Sequence, residues 1–297
     1  MGEIIALITA CCWAGSSIFF TSASKKIAPL LVNRLRLVLA AALLMLAHLA
    51  VFGTPIPLAV ERERWLWLGL SGIIGLALGD TFLFQCYALL GNRLGTLIMA
   101  AVPVISSVEA WLLLGEKLGA AEMAGIALCV GGIVIVVLER GNGSGTARTR
   151  AQYVGGILAG VLSALCQATG LALAKRGLGG GFSALSGVTM RMLTAMLALW
   201  IAALLTGAAR STLRTGFANP AALRVIAAGT LVGPVVGVWL SLLAIQLSNV
   251  GVASTLMALT PVLLLPVARW GYHERVSLRA VAGTVVALLG VALIFIL

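Results

Sequence analysis

The sequence has very little charge for its length. Only 10% of its 297 residues are Asp, Glu, Lys or Arg, whereas 61% are hydrophobic. Soluble domains carry roughly 25% charged and about 45–50% apolar residues. The composition therefore excludes a water-soluble fold and predicts a chain that lies in a lipid bilayer.

The sequence also lacks the motifs of enzymes, metal sites and nucleotide-driven pumps. His48 and His273 stand apart from any nucleophile or ligand group, and the five cysteines show no metal-ligand spacing. The glycine runs belong to apolar segments and do not form a phosphate-binding loop. We therefore expect no enzymatic activity, no catalytic residue, no metal, no cofactor and no direct use of ATP.

A basic region before the first apolar segment is absent as well, because the chain begins Met-Gly-Glu. We expect the first segment to be a retained helix and not a cleaved signal peptide. The net charge is nevertheless +11, and most Lys and Arg residues fall at predicted turns. Basic loop residues of membrane proteins set orientation and meet anionic head groups. The expected partner of this charge is the bilayer, and not nucleic acid.

The sequence does contain an internal duplication. Pro261 lies 158 positions after Pro103, and Glu274 lies 158 positions after Glu116. The same offset relates four pairs of glycines: Gly75 and Gly233, Gly79 and Gly237, Gly125 and Gly283, Gly132 and Gly290. A repeated half in an apolar chain is typical of secondary transporters, in which two repeats move about a site at their interface.

Each copy contains five apolar segments that are long enough to span a membrane. The predicted spans cover residues 4–22, 30–52, 65–90, 94–114, 122–138, 152–174, 184–205, 221–247, 251–270 and 278–297. A Gly/Ser-rich linker predicts two five-helix domains, 1–140 and 151–297. Because each has an odd number of spans, we predict an all-α membrane protein of ten transmembrane helices in two inverted repeats.

One stretch of the first half resembles a known family. Tyr-Ala-Leu at 87–89 precedes a polar turn, a run of small residues, Pro103 and Leu-Leu-Leu-Gly-Glu at 112–116. This pattern resembles the EamA family of the drug/metabolite transporter superfamily, over both halves. The second copy departs from it, with His273 in place of glycine and no leucine run. The resemblance implies a central cavity, export of amino acids, related metabolites or drugs, and cytoplasmic termini in a bacterial inner membrane.

Asp80 is the foremost candidate for a substrate-binding or proton-binding residue. It lies near the middle of the third span directly after Gly79, and a carboxylate there costs roughly a few kcal/mol unless it faces a cavity or a partner. We expect it to bind a cationic group or a proton. The alternatives are a structural ion pair with Arg36 or Arg191, and a cap on a broken third helix.

Further polar and aromatic residues lie in otherwise apolar spans. Glu109 is either a second site residue or a partner of an interior arginine. The remaining candidates either line a cavity between the halves or hold helices together; they are Trp13, Gln85, Tyr87, Gln167, Trp239 and Gln246. An offset of 154 places Gln167 opposite Trp13. We expect Pro103 and Pro261 to kink the fourth and ninth helices.

These observations favour a secondary carrier for a small metabolite, with proton coupling through Asp80. The alternative is a non-transporting membrane protein, such as a lipid-handling or assembly factor. A membrane-embedded enzyme is disfavoured, because Asp80 and Glu109 alone are too few ionisable groups for a catalytic set. Either a monomer or a dimer is compatible with the sequence.

Two arguments disagree on orientation. Loops on the side of the termini hold five basic residues, Arg62, Arg64, Lys117, Lys175 and Arg176, and the opposite side holds most of the other 15. The positive-inside rule thus places the termini outside, whereas the resemblance implies cytoplasmic termini. Labelling of a cysteine introduced at Ser144, in the linker, would decide between them.

Overall fold

The computed structural model describes residues 1–24, 26–139, 149–260, 262–263 and 278–296, and these form helices joined by short connections. The first half contains α1 (Gly2–Ser24), α2 (Pro29–Phe52), α3 (Arg62–Ser71), a π-helical segment (Gly72–Gly79), α4 (Asp80–Met99), α5 (Val102–Leu114) and α6 (Ala120–Glu139). The second contains α7 (Arg150–Gly177), α8 (Ala184–Leu205), α9 (Ala208–Phe217), α10 (Pro220–Thr230), a π-helical segment (Leu231–Gly237), α11 (Val238–Leu247), α12 (Val250–Met257) and α13 (Leu278–Ile296).

Within the described residues, six helical stretches are long and apolar enough to cross a membrane, and three apolar helices are shorter. The shorter ones are Val102–Leu114, Ala120–Ile135 and Val281–Leu293. The ninth predicted span, 251–270, begins as α12, and its residues from 264 onward lie outside the described part. The structure thus establishes an all-helical fold with several candidate spans, and the total of ten stays a prediction.

The turn predicted between the third and fourth spans is in the wrong place. α4 continues to Met99, and the chain turns at Ala100 and Ala101. Pro103 lies in the first turn of α5, where its missing N–H has no intrahelical acceptor to lose. Pro103 therefore begins a helix, and the prediction that it kinks one is wrong. Pro261 lies outside the described residues.

Two π-helical segments interrupt the third and eighth predicted spans at corresponding places. The second contains Pro234, which has no N–H for the usual helical hydrogen bond. In the first, a Cβ on Gly72 would lie 2.2 Å from the backbone oxygen of Arg191, so the close approach of α8 requires glycine. π-helical turns are frequent at functional sites, and Asp80 directly follows the first segment.

The two halves pack into each other. α7 of the second half lies along α3, the first π-helical segment and α4, while α1 of the first half lies along α10, the second π-helical segment and α11. α2 packs on α8, and α5 packs on both α7 and α12. The hydrophobic core therefore lies between the halves, and the third and sixth predicted spans share a long contact.

Corresponding positions make corresponding contacts. A Cβ on Gly79 would lie 3.4 Å from Nε2 of Gln167, and a Cβ on Gly237 would lie 3.0 Å from Cδ1 of Trp13. The glycines are related by the offset of 158, and the two side chains by the offset of 154. Gln167 thus occupies in one half the place that Trp13 occupies in the other.

α6 and α13 cross in direct backbone contact. A Cβ on Gly132 would lie 2.4 Å from the backbone nitrogen of Ala287, and one on Gly290 would lie 2.6 Å from that of Cys129. The contacts run in opposite directions along the two helices, so α6 and α13 are antiparallel. At their centre the thiol of Cys129 donates to the oxygen of Ala287 at 3.3 Å, and these two residues are themselves 158 positions apart.

The crossing makes a prediction for stability. Gly132→Val is expected to lower the unfolding free energy by about 2 kcal/mol or more, because overpacked contacts force backbone shifts. Gly131→Val is the matched control, since no atom lies within 4 Å of a Cβ there. Thermal unfolding of both purified variants in one detergent measures the difference. Equal melting temperatures would contradict the close crossing.

α9 has no counterpart among the predicted spans. It is a ten-residue helix between α8 and α10, and it exposes Leu213 and Phe217. Arg34 of α2 holds it in place through a hydrogen bond from Nη1 to Oγ1 of Thr212 at 3.1 Å. Its combination of polar residues with exposed Leu213 and Phe217 is typical of a helix that lies at a membrane surface.

Candidate functional site

Asp80 lies at the junction of the two halves and is only 7% exposed. Its Oδ2 accepts a hydrogen bond from Nη2 of Arg36 within an ion pair. Its Oδ1 accepts from Nε2 of Gln167 at 2.8 Å. Gln167 belongs to α7 of the second half, whereas Asp80 and Arg36 belong to the first. The carboxylate therefore links a cation of its own half to an amide of the other half.

Arg36 is held in place from several directions. Its Nε donates to Oδ1 of Asn33 at 2.8 Å, one helical turn earlier. Its guanidinium also lies over the rings of Phe20 and Phe84, at 5.5 and 5.3 Å from the ring centroids. Cation–π contacts of this kind stabilise a guanidinium that has lost water. The Asp80–Arg36 ion pair that the sequence offered as an alternative therefore forms, within a polar cluster that also contains Gln167.

Glu109 contacts α7 two residues beyond the position of Gln167. Its Oε1 accepts a hydrogen bond from Oγ1 of Thr169 at 2.8 Å. Its Oε2 is buried, and no described residue donates a hydrogen bond to it. Glu109 and Asp80 therefore bind α7 at Thr169 and Gln167, which are two residues apart, and each couples the first half to the second.

Arg191 lies on α8, close to the first π-helical segment. Its Nη2 is 3.4 Å from the position of a Cβ on Gly75. The side chain is buried, and among the described residues nothing accepts a hydrogen bond from Nε or Nη1. A second guanidinium therefore lies near the Asp80 cluster without an ion-pair partner in the described part of the chain.

The remaining predicted residues make other contacts, although Gln85 lies beside the cluster, because Phe84 lines the same cavity. Gln85 is exposed and lines a cavity of about 190 Å³ whose residues all belong to the first half, whereas we had predicted that it faces the space between the halves. The ring of Tyr87 packs on Gly95 of its own helix. Trp13 packs on Gly237 of the second π-helical segment, and Trp239, on α11, is 38% exposed.

Gln246 has a structural contact. Its Nε2 donates to the backbone oxygens of Leu178 at 3.3 Å and Phe182 at 2.9 Å, in the connection between α7 and α8. It also lines a cavity of about 380 Å³ on the side of the termini, together with Glu3, Glu122, Lys175, Leu247, Ser248, Asn249 and Val252. This cavity is separate from the Asp80 cluster.

The same side carries a polar connection between the halves. Gly115 ends α5 in a left-handed conformation, with φ of 69° and its N–H directed to the oxygen of Ala110, a geometry that favours glycine. The next residue, Glu116, accepts a hydrogen bond from the N–H of Val250 at 2.9 Å and forms an ion pair with Lys175. Glu116 thus caps α12 of the other half.

Several residues around the candidate site are not evident from the sequence. Asn33, Phe20, Phe84 and Thr169 were not singled out, although Asn33 stands three positions before Arg36, the spacing of neighbours on a helix face. Their roles depend on contacts between helices, which leave no local pattern. In the described residues no group of three metal-ligating side chains comes together.

The chain is similar to known proteins over most of its length. The model of the EamA-like transporter family matches residues 1–138 and 154–296. A solved structure described only as "Crystal structure of protein" has a TM-score of 0.75 and 20% sequence identity, covering 99% of this chain and 96% of that one. At this identity the likeness concerns the fold alone. No curated protein matches the sequence.

Proposed function

We propose, because this chain belongs to the EamA-like transporter family, that it is a secondary transporter which exports a small metabolite by alternating access. The halves 1–140 and 151–297 would form two inverted five-helix repeats in a bacterial inner membrane. The substrate would be an amino acid or a related amphipathic compound or drug. Protons would supply the driving force through Asp80.

The observation that carries the proposal is the position of Asp80 between the halves. Its two oxygens bind Arg36 of one half and Gln167 of the other. A change at this carboxylate, such as protonation or binding of a cationic group, would alter contacts on both sides. An ionisable residue inside a membrane that joins two mobile bodies is suited to coupling.

The packing of α6 and α13 supports the inverted arrangement. At their crossing Gly132 contacts Ala287, and Gly290 contacts Cys129. The offset of 158 relates Gly132 to Gly290 and Cys129 to Ala287, so it converts each contact into the other. Reciprocal contacts of this kind arise from a two-fold axis. Because the helices are antiparallel, that axis is perpendicular to them and would lie in the membrane plane, as inverted repeats require.

Transport in proteoliposomes tests the proposal. We expect the purified protein to drive saturable uptake of at least one member of a panel of amphipathic amino acids under an imposed pH gradient. A protonophore should abolish this uptake, and protein-free liposomes should show none. If no panel member moves and none alters tryptophan fluorescence, a non-transporting role such as lipid handling is favoured instead.

A further inference from the structure

Arg191 is a buried cation with unused hydrogen-bond donors. Arg191 is only 3% exposed. Its Nε and Nη1 have no hydrogen-bond acceptor in the described part of the chain. Removing a guanidinium from water costs several kcal/mol unless an anion and further hydrogen bonds compensate for it. Buried charges are therefore normally paired.

The duplication explains why the second half offers no anion. Arg191 corresponds to Arg36 at an offset of 155, and Arg36 is paired with Asp80. The residue 158 positions after Asp80 is Val238. Both halves therefore have the arginine, but only the first has the carboxylate.

The two candidate acids of the first half bind groups other than Arg191, although Oε2 of Glu109 receives no hydrogen bond from a described residue. Asp80 interacts electrostatically with Arg191, but its two oxygens accept hydrogen bonds from Arg36 and Gln167. Glu109 accepts its hydrogen bond from Thr169 of α7. Neither acid accepts a hydrogen bond from Arg191.

The guanidinium also lies where the halves meet. A Cβ on Gly75 would lie 3.4 Å from Nη2 of Arg191 and 3.4 Å from the Cα of Gly170 in α7. α8, α7 and the first π-helical segment thus converge on this side chain. These elements belong to different halves, so relative motion of the halves would expose it beside Asp80.

We propose that Arg191 binds a carboxylate group of the transported molecule, in a subsite adjacent to Asp80. The proposal rests on the transport function above, since it assigns part of the substrate to a residue. A guanidinium matches a carboxylate with two parallel N–H donors, and Nε and Nη1 are the two nitrogens without acceptors. The substrate would therefore carry a carboxylate.

Binding to the purified full-length protein tests this subsite without requiring transport. Tryptophan fluorescence would be titrated with two matched pairs of probes, phenylacetate with phenylacetamide and leucine with leucinamide. We expect the wild-type protein to bind the carboxylate member of a pair about 10- to 100-fold more tightly. Arg191→Gln should remove this preference, whereas Arg34→Gln, a matched control at a buried arginine outside the cluster, should keep it.

A second variant adds the missing acid. Val238→Asp places a carboxylate at the position that corresponds to Asp80. This carboxylate should form an ion pair with Arg191 and so compete with the carboxylate of a probe. We expect it to fold and to lose the preference for carboxylate probes. Retention of the wild-type preference in Arg191→Gln or in Val238→Asp would overturn the proposal, and so would equal binding of both members of each pair by the wild-type protein.

Counterflow in proteoliposomes separates this inference from the proposed function. If the protein transports probes but does not prefer the carboxylate member of either pair, the subsite is rejected and the transport function is retained. A carboxylate preference that depends on Arg191, with no flux of any probe, would reject transport alone.

Discussion

Asp80→Asn is expected to abolish pH-gradient-driven uptake, reducing it to the level of protein-free liposomes. Asparagine preserves the size of the side chain and its hydrogen bond to Gln167, but it has no ionisable carboxylate. It can therefore neither release a proton nor neutralise Arg36. Uptake of the best panel substrate under an inward proton gradient would measure the loss, with counterflow at equal pH as the companion assay.

A loss of stability has to be separated from a loss of coupling. Removing one partner of a buried ion pair costs about 3–5 kcal/mol, whereas removing both partners is often nearly neutral. The double variant Arg36→Gln, Asp80→Asn should therefore recover most of the melting temperature without recovering pH-driven uptake. If the double variant regains this uptake, the pair is structural. If Asp80→Asn alone transports at the wild-type rate, Glu109 becomes the candidate for coupling.

Glu116→Gln is expected to favour the state in which the space between the halves is open to the side of the membrane that holds the termini. Glu116 belongs to the first half, and it binds Lys175 and the N–H of Val250, both in the second. The ion pair is largely shielded, with side-chain exposures of 23% for Lys175 and 12% for Glu116. Weakening these contacts by about 1–3 kcal/mol would shift the populations of the two states roughly 5- to 150-fold.

Cys166 can report this shift, because it lies on α7 beside Gly79. In a protein that keeps only this cysteine, membrane-impermeant maleimide added on the side of the termini should label it faster after Glu116→Gln. Glu61→Gln is the control, because Glu61 is mostly exposed and its pair with Arg64 is local, and exposed pairs contribute little. Equal labelling rates in both variants would contradict a closing role for Glu116.

Much of the fold could be predicted because its causes are local. Long apolar runs predicted helices such as 184–205, and α8 has these bounds. The turn before α5 was misplaced, because the polar residues near Asn92 suggested a break that the helix passes through. Pro103 marked the position of the turn better than the polar residues did. A proline can either begin a helix or kink one, however, and the sequence did not distinguish these two outcomes.

The candidate site was predicted in part. Asp80, Arg36 and Gln167 were all identified from polarity within apolar spans, and the structure brings them together. Gln246 was identified by the same criterion, yet its amide binds the connection between α7 and α8. A polar residue in an apolar helix indicates that a partner exists, but it does not indicate whether that partner is a ligand or a backbone oxygen.

The sequence by itself determined that this protein resides in a membrane, that it is a duplication, and which few ionisable residues lie in its apolar part. These properties depend on composition and spacing, which the chain carries before it folds. Only the tertiary structure decided that Asp80 binds Arg36 and Gln167 while Nε and Nη1 of Arg191 have no hydrogen-bond acceptor among the described residues. The physical reason is that these contacts join residues 44 and 87 positions apart, so they depend on how the glycines of the first π-helical segment let α7 and α8 approach it.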